Sequence, residues 1–273
     1  MLDSFGRSID YLRISVTDRC NLRCFYCMPE EGIELLKHEA ILSYEAITQV
    51  AQKAVKLGFT KIRLTGGEPL IRKNIVDLVA MLSNISGIKT IAMTTNGTLL
   101  SDLAQELKNA GLTSINVSLD TMNSTLYNII TRGGSLDAVL KGIYAAKNAG
   151  LAIKINTVVL DTASPILAEQ KFKQDIEAVR SFADSIGAHF QRIAQYNLAH
   201  IKQDYGEIER PPACASCNRL RLLANGVLRP CLHSNIEIPI DFTNIEASIK
   251  SAIALKPAHG LSCTGITVEQ IGG

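Results

Sequence analysis

LRISVTDRCNLRCFYC, residues 12–27, joins a β-branched run to three closely spaced cysteines. Cys20, Cys24 and Cys27 put three thiolates on one loop, enough for three corners of a cubane iron–sulfur cluster, because sulfur is the preferred donor to such iron. A closed structural zinc site would draw on a fourth nearby ligand. Three protein ligands leave one iron open, and an open iron is where a small molecule can bind. A zinc knuckle or three unrelated thiols is the alternative on spacing alone.

Outward from this loop, short β-branched runs alternate with longer amphipathic stretches. The expected strands are Leu12–Thr17, Lys61–Thr65, Thr90–Thr94, Ser114–Ser118, Ile153–Val159 and Ala188–Ile193. Helices are expected over Tyr44–Leu57, Ile75–Leu82, Asp102–Ala110, Leu136–Ala149 and Ile176–Ile186. Ser43 and Ser101 suit N-caps, and Gly58, Gly111, Gly150 and Gly187 suit left-handed helix ends. The alternation predicts an α/β fold of parallel βαβ units, an incomplete (β/α)6 barrel. Residues 1–193 would form this partial barrel, and 194–273 a short C-terminal extension carrying a second metal group. The cysteine loop, Gly66-Gly67-Glu68-Pro69, Thr95-Asn96-Gly97 and Leu119-Asp120 all follow strands, on the face where parallel β/α barrels keep their active sites. Gly66 and Gly67 permit close approach of backbone to a ligand, and Glu68 could accept hydrogen bonds from an ammonium group.

At 273 residues the chain is long enough for a full core, and 47% hydrophobic with 20% charged residues fits an ordinary globular protein. A formal charge of +2 gives no general attraction to nucleic acid or membrane. The start MLDSFGRSIDYL has no apolar signal core, no run is long enough to span a bilayer, and seven cysteines suit reduced thiols or metal sites; a cytoplasmic location is expected. With no Trp and few aromatics, a stacking surface for nucleic acid is not expected.

A second cysteine group, Cys214, Cys217 and Cys231, brackets a hairpin-like turn at Asn225-Gly226. It again offers three thiolates and an open position; zinc, completed by Cys263 or His233, is its rival. Cations also fall inside strands. Lys61 and Arg63 share one face, as do Arg219 and Arg221, while Arg13, Lys154 and Arg192 lie in other strands. If they face the lumen, seven cations need a bound polyanion, and a triphosphate is a natural occupant. The other reading has several of them facing solvent or paired with carboxylates such as Glu39 and Glu68.

TDRCNLRC, KIRLTGGEP, TTNG, INVSLD, CASCNRLRL and the terminal Gly272-Gly273 together resemble the GTP 3′,8-cyclase family of radical S-adenosylmethionine (SAM) enzymes. The resemblance covers residues 5–193 and returns over 212–233. It implies a 4Fe–4S cluster on Cys20, Cys24 and Cys27 that binds SAM, and an auxiliary 4Fe–4S cluster on Cys214, Cys217 and Cys231 that binds the guanine of GTP. It implies SAM contacts at Tyr26, Gly66, Gly67, Glu68, Thr94, Asn96, Ser118 and Asn197, the last standing where the family tends to have methionine. GTP would contact Arg13, Lys61, Arg63, Lys154, Arg192, Arg219 and Arg221; the catalytic set would be Arg219, Arg221, Gly272 and Gly273. The implied chemistry is a radical taken from SAM, hydrogen removal at C3′ of GTP and bonding of C3′ to C8, in molybdenum cofactor biosynthesis. An external electron donor, a downstream pterin-forming synthase and a homodimer are implied as partners. The connection between the sixth strand and Cys214 is shorter than the family's. Two other readings therefore stand beside this one: a radical SAM enzyme with one auxiliary cluster acting on a peptide or another nucleotide, and a non-catalytic iron–sulfur or zinc protein that binds or senses.

Overall fold

The structure is a computed structural model that describes residues 1–160, 174–195, 198, 202, 208 and 213–264. Its elements run β1 (Tyr11–Ser15), α1 (Tyr44–Lys56), β2 (Lys61–Thr65), α2 (Ile75–Ser83), β3 (Thr90–Thr95), α3 (Leu100–Asn109), β4 (Ser114–Ser118), α4 (Ser124–Thr131), α5 (Leu136–Asn148), β5 (Ala152–Val159), α6 (Ile176–Ser185), β6 (His189–Ala194), β7 (Arg219–Leu222), β8 (Val227–Arg229), β9 (Ile238–Pro239) and α7 (Ile245–Ala254). One open sheet takes the order β6-β5-β4-β3-β2-β1-β7-β8-β9. β1 to β7 are parallel, and β8 and β9 are antiparallel additions.

Side chains alternate across each strand, and the two faces differ in character. Leu12, Ile14, Ile62, Leu64, Ile91, Met93, Ile115, Val117 and Ile155 are buried in the main core. The helices cover that face: α1, for example, buries Ile47, Val50, Ala51 and Ala54, one stripe at helical spacing. Parallel sheets usually bury both faces in apolar contacts. Here the opposite face carries Arg13, Arg63, Asn116 and Lys154 into a cavity, and that polar lining is the signature of a binding lumen.

The six expected strands are all present, and Ser43 caps α1 by accepting from the Ala46 amide. Gly58, Gly111, Gly150 and Gly187 all take positive φ. Ser101 does not cap α3. The helix starts two residues earlier than expected, after Leu99, because the Leu100 amide already bonds to Gly97 O, and the Ser101 hydroxyl donates to Asp102 instead. Two helices were not expected: α4, capped by Asn123, and α7, capped by Asn244. Nor was β7 expected as a seventh parallel strand. It pairs with β1, so the segment after residue 213 continues the sheet of the first six strands.

Gly142 on α5 lets that helix press against the loop after β3; an added Cβ would stand 2.4 Å from Gly97 O and 3.0 Å from Leu100 Cβ. Gly142→Ala is expected to lower stability by ~1–3 kcal/mol through overpacking, measured as a fall in the thermal unfolding midpoint.

Candidate active site

The lumen is a cavity of about 220 Å³ lined by side chains from β1 to β7 and by the loops at their carboxyl ends. Cys20, Cys24 and Cys27 all line it, on the loop that leaves β1. That loop is held by backbone: the amides of Arg23 and Phe25 bond to Thr131 O and Ile130 O at the end of α4, and Cys27 and Met28 both donate to Cys24 O. Arg132 adds a clamp, donating to Arg23 O at 3.1 Å and Met28 O at 2.9 Å. Gly67 lies against the same loop; a Cβ there would stand 2.2 Å from Arg19 O.

Burial pushes the Cys24 thiol up to about 12, with negative charge from Asp120 and Cys20 acting in the same direction. Burial also raises Cys20. Two desolvated thiols that resist ionisation alone, with Cys27 beside them on the same loop, suit a positively charged metal centre, which holds coordinating sulfur as thiolate. The donor set thus fits an iron–sulfur cluster.

Gly66, Gly67, Thr94, Asn96, Ser118 and Tyr26 line the cavity beside these cysteines. The Tyr26 hydroxyl donates to Asp120 Oδ2 at 2.7 Å. Burial raises Asp120 to about 6, although the Tyr26 bond opposes that shift. Glu68 is placed differently from the expectation of an ammonium acceptor. It is fully buried, and its carboxylate accepts from Leu70 N at 2.9 Å, Thr95 Oγ1 at 2.7 Å and Asn96 N at 2.6 Å. It braces the loops after β2 and β3 against each other. Asn197, Gly272 and Gly273 lie outside the described residues.

Register aligns the cations. Arg13 on β1 stands opposite both Arg63 on β2 and Arg221 on β7, and all three line the lumen. One step toward the amino ends, Tyr11 stands opposite Arg219, whose guanidinium lies 5.8 Å from the tyrosine ring centre. Arg63 is partly committed, donating from Nε to the Tyr11 hydroxyl and from Nη1 to Thr94 Oγ1. Arg221 is 6% exposed, and its Nε and that of Arg219 are buried without a hydrogen-bond partner. Lys154 joins the lining from β5, and among the described residues no carboxylate does. Two expected members are absent from it. Lys61 sits at the outer end of β2 and pairs with Asp10 at 3.3 Å. Arg192 lies on β6 between Gln191 and Ile193, which are the lumen-facing residues, so alternation turns it to the other face.

The second cysteine group is at the opposite end. Cys214 and Cys217 immediately precede β7 and Cys231 follows β8, which runs antiparallel to β7; all three therefore gather at the amino end of β7. All are free and partly buried. The arginine row lies between the two groups. Sequence reasoning missed the polar lining from Tyr11, Asn116, Asn156 and Gln191. Its signal was parity: Asn116 shares a face with Ser118, and Asn156 with Lys154. Asn156 Oδ1 is buried without a hydrogen-bond partner, leaving an acceptor for a bound molecule.

Three thiolates above the carboxyl ends of a partial parallel barrel define a class, and the profile of the radical SAM superfamily matches residues 14–165. The structure resembles Streptococcus suis SuiB bound to S-adenosylmethionine, with a TM-score of 0.62 at 16% identity, covering 89% of this chain and 68% of that one. Native anSMEcpe with bound AdoMet gives a TM-score of 0.62 at 13% identity, covering 91% and 81%. At such identities the likeness is one of fold. In sequence, the GTP 3′,8-cyclase of Thermodesulfovibrio yellowstonii is 42% identical, with 96% of each chain covered. That of Alkaliphilus oremlandii is 38% identical over the whole of both chains. The chain belongs to the GTP 3′,8-cyclase family of the radical SAM superfamily.

Burial raises the Glu68 carboxyl from 4.5 to about 7 against three opposing hydrogen bonds. The folded state then binds the Glu68 proton more tightly than the unfolded chain, so this group's contribution to stability falls as pH rises from 4.5 through about 7. Denaturant unfolding of the wild type and Glu68→Gln across that range is expected to give a flatter pH profile for the variant.

Proposed function

We propose that this enzyme bonds C3′ to C8 of GTP in molybdenum cofactor biosynthesis, using a SAM-binding 4Fe–4S cluster on Cys20, Cys24 and Cys27 and an auxiliary 4Fe–4S cluster on Cys214, Cys217 and Cys231. The observation that carries the reading is the register of Arg221, Arg13 and Arg63 on three adjacent strands, between the two cysteine groups. Like charges placed side by side on a sheet repel, and guanidinium forks match phosphate oxygens. A triphosphate held on this row would anchor the nucleotide between the two cysteine groups and leave its ribose and base to extend along the lumen.

When bound, the first cluster with SAM supplies an electron and a carbon-centred radical able to remove a ribose hydrogen. The chain's own residues bind, orient and exclude water. Gly66 and Gly67 bring main chain against SAM, Thr94, Asn96 and Ser118 offer polar contacts, and Tyr26 closes the wall, fixed by Asp120. Arg13, Arg63, Lys154, Arg219 and Arg221 fix the triphosphate, and Asn156 Oδ1 is available to a donor on the substrate. Arg219 and Arg221 stand closest in sequence to the second cysteine group and link phosphate holding to guanine placement. Positioning carries much of the rate, since a misplacement of about 1 Å can cost roughly a hundredfold. Asn197 as a SAM contact and Gly272-Gly273 as a catalytic tail belong to this reading through the family resemblance. So do an external electron donor, a pterin-forming synthase acting on the product and a homodimer; a cytoplasmic setting rests on seven cysteines that suit reduced thiols or metal sites. Among the described residues no helix is long and apolar enough to cross a membrane.

The test is an anaerobic assay of cluster-reconstituted protein with SAM, GTP and reductant, read by mass spectrometry. 5′-Deoxyadenosine together with a cyclised GTP isomer is the expected result; 5′-deoxyadenosine with GTP intact would assign the site to another substrate. Arg221→Met is expected to weaken GTP binding about 10–100-fold, as for a lost charge-assisted bond, while SAM binding measured by calorimetry stays near wild type.

A further inference from the structure

The stretch of residues 256–263 leaves the end of α7 and crosses the second cysteine group, fixed by contacts to backbone atoms on both sides. Lys256 is 3% exposed. Its ammonium donates to Arg219 O at 2.8 Å and Pro230 O at 2.6 Å, and among the described residues no carboxylate pairs with it. Pro230 precedes Cys231, and Arg219 follows Cys217 by two positions. A buried ammonium held, among the described residues, by two carbonyls is costly unless the geometry is well satisfied, so its presence marks a constraint.

Arg7 holds the same strap from the other side. It is 8% exposed and is paired through Nε with Asp3 at 2.6 Å. Its Nη1 donates to Cys214 O at 2.9 Å and Ala258 O at 3.1 Å, and its Nη2 to Pro257 O at 2.7 Å. Farther along the strap, the Gly260 amide reaches Cys214 Sγ at 3.4 Å and the Leu261 amide bonds to His233 O at 2.9 Å. Gly260 is packed so closely that an added Cβ would meet His233 Cβ at 2.9 Å. One strap thus touches the cysteine group at Cys214 and, through Pro230 and His233, on both sides of Cys231.

We infer that Lys256 and Arg7 are positioning residues that clamp this strap across the second cysteine group and hold Cys214 and Cys231 in place before any metal binds. The inference rests on reading Cys214, Cys217 and Cys231 as one ligand group, and its test reads thiols, not turnover. Metal-free, reduced full-length protein would be pulsed with iodoacetamide under nondenaturing conditions, with the alkylation rate of each cysteine followed by mass spectrometry. In Lys256→Met and in Arg7→Gln, Cys214 and Cys231 are expected to react about tenfold faster or more, because loss of buried hydrogen bonds eases local opening. Cys20, Cys24 and Cys27 should keep their wild-type rates, and Lys256→Arg, which keeps the charge and the donors, should restore most of the protection. Unchanged rates at Cys214 and Cys231 in both variants would overturn the clamp. Equal acceleration at all six cysteines would also overturn it, since that is general loosening. Selective acceleration in a protein whose reconstituted wild type carries iron for only one cluster would uphold the clamp and remove the auxiliary cluster from the proposed function.

Discussion

Three guanidinium groups on neighbouring strands repel one another, and the architecture is arranged around that repulsion. Arg221, Arg13 and Arg63 share one level of the sheet and face the lumen, with no carboxylate among its described lining residues. Partial relief comes from tyrosine: Tyr11 meets Arg63 through its hydroxyl and Arg219 through its ring. The apolar face of the same strands carries the folding free energy, as Ile14, Leu64 and Leu222 pack into the core directly next in sequence to these arginines. Period-two alternation lets one strand face the core on one side and the lumen on the other.

The cysteine loop is held less by its own sequence than by the loops it meets. The Gly67 amide bonds to Thr17 O and the Glu68 amide to Arg19 O, and the Glu68 carboxylate reaches across to Thr95 and Asn96. Asn96 in turn bonds to Asn21 beside Cys20. The GGE segment therefore has two roles: it forms a smooth wall, and it is a buried brace that sets how the first two barrel loops sit against each other. This arrangement leaves a carboxylic acid titrating near neutrality inside the scaffold, where its cost is borne by the precision of the loops around it.

Much of this was legible in the chain. The strands at Lys61, Thr90, Ser114 and Ile153 announced themselves by β-branched runs ending in glycine or polar turns, and the first cysteine group by spacing. What escaped were features settled by long-range pairing. β7 has four residues and a partner some two hundred positions earlier, which no local pattern encodes. Arg192 was grouped with the lumen cations, although its neighbours Gln191 and Ile193 hold the inward parity. Lys61 has the right parity but sits at the strand's outer end, where Asp10 neutralises it. For Glu68, the residue type was informative and its orientation was not, because burial against Thr95 depends on how two loops dock.

The pairing of β7 with β1 orders the birth of the site in time. As the chain emerges from synthesis, β1 is among the first strands made, and one of its edges stays unpaired until residues 219–222 arrive. An open parallel edge is both slow to satisfy and prone to stray pairing. The nascent protein can build its apolar core and its first cysteine loop well before that moment, yet Arg221 reaches the side of Arg13 only when the last parallel strand docks. The arginine row is thus a late product of folding, and a truncated chain that stops before residue 219 would keep the look of the fold without it.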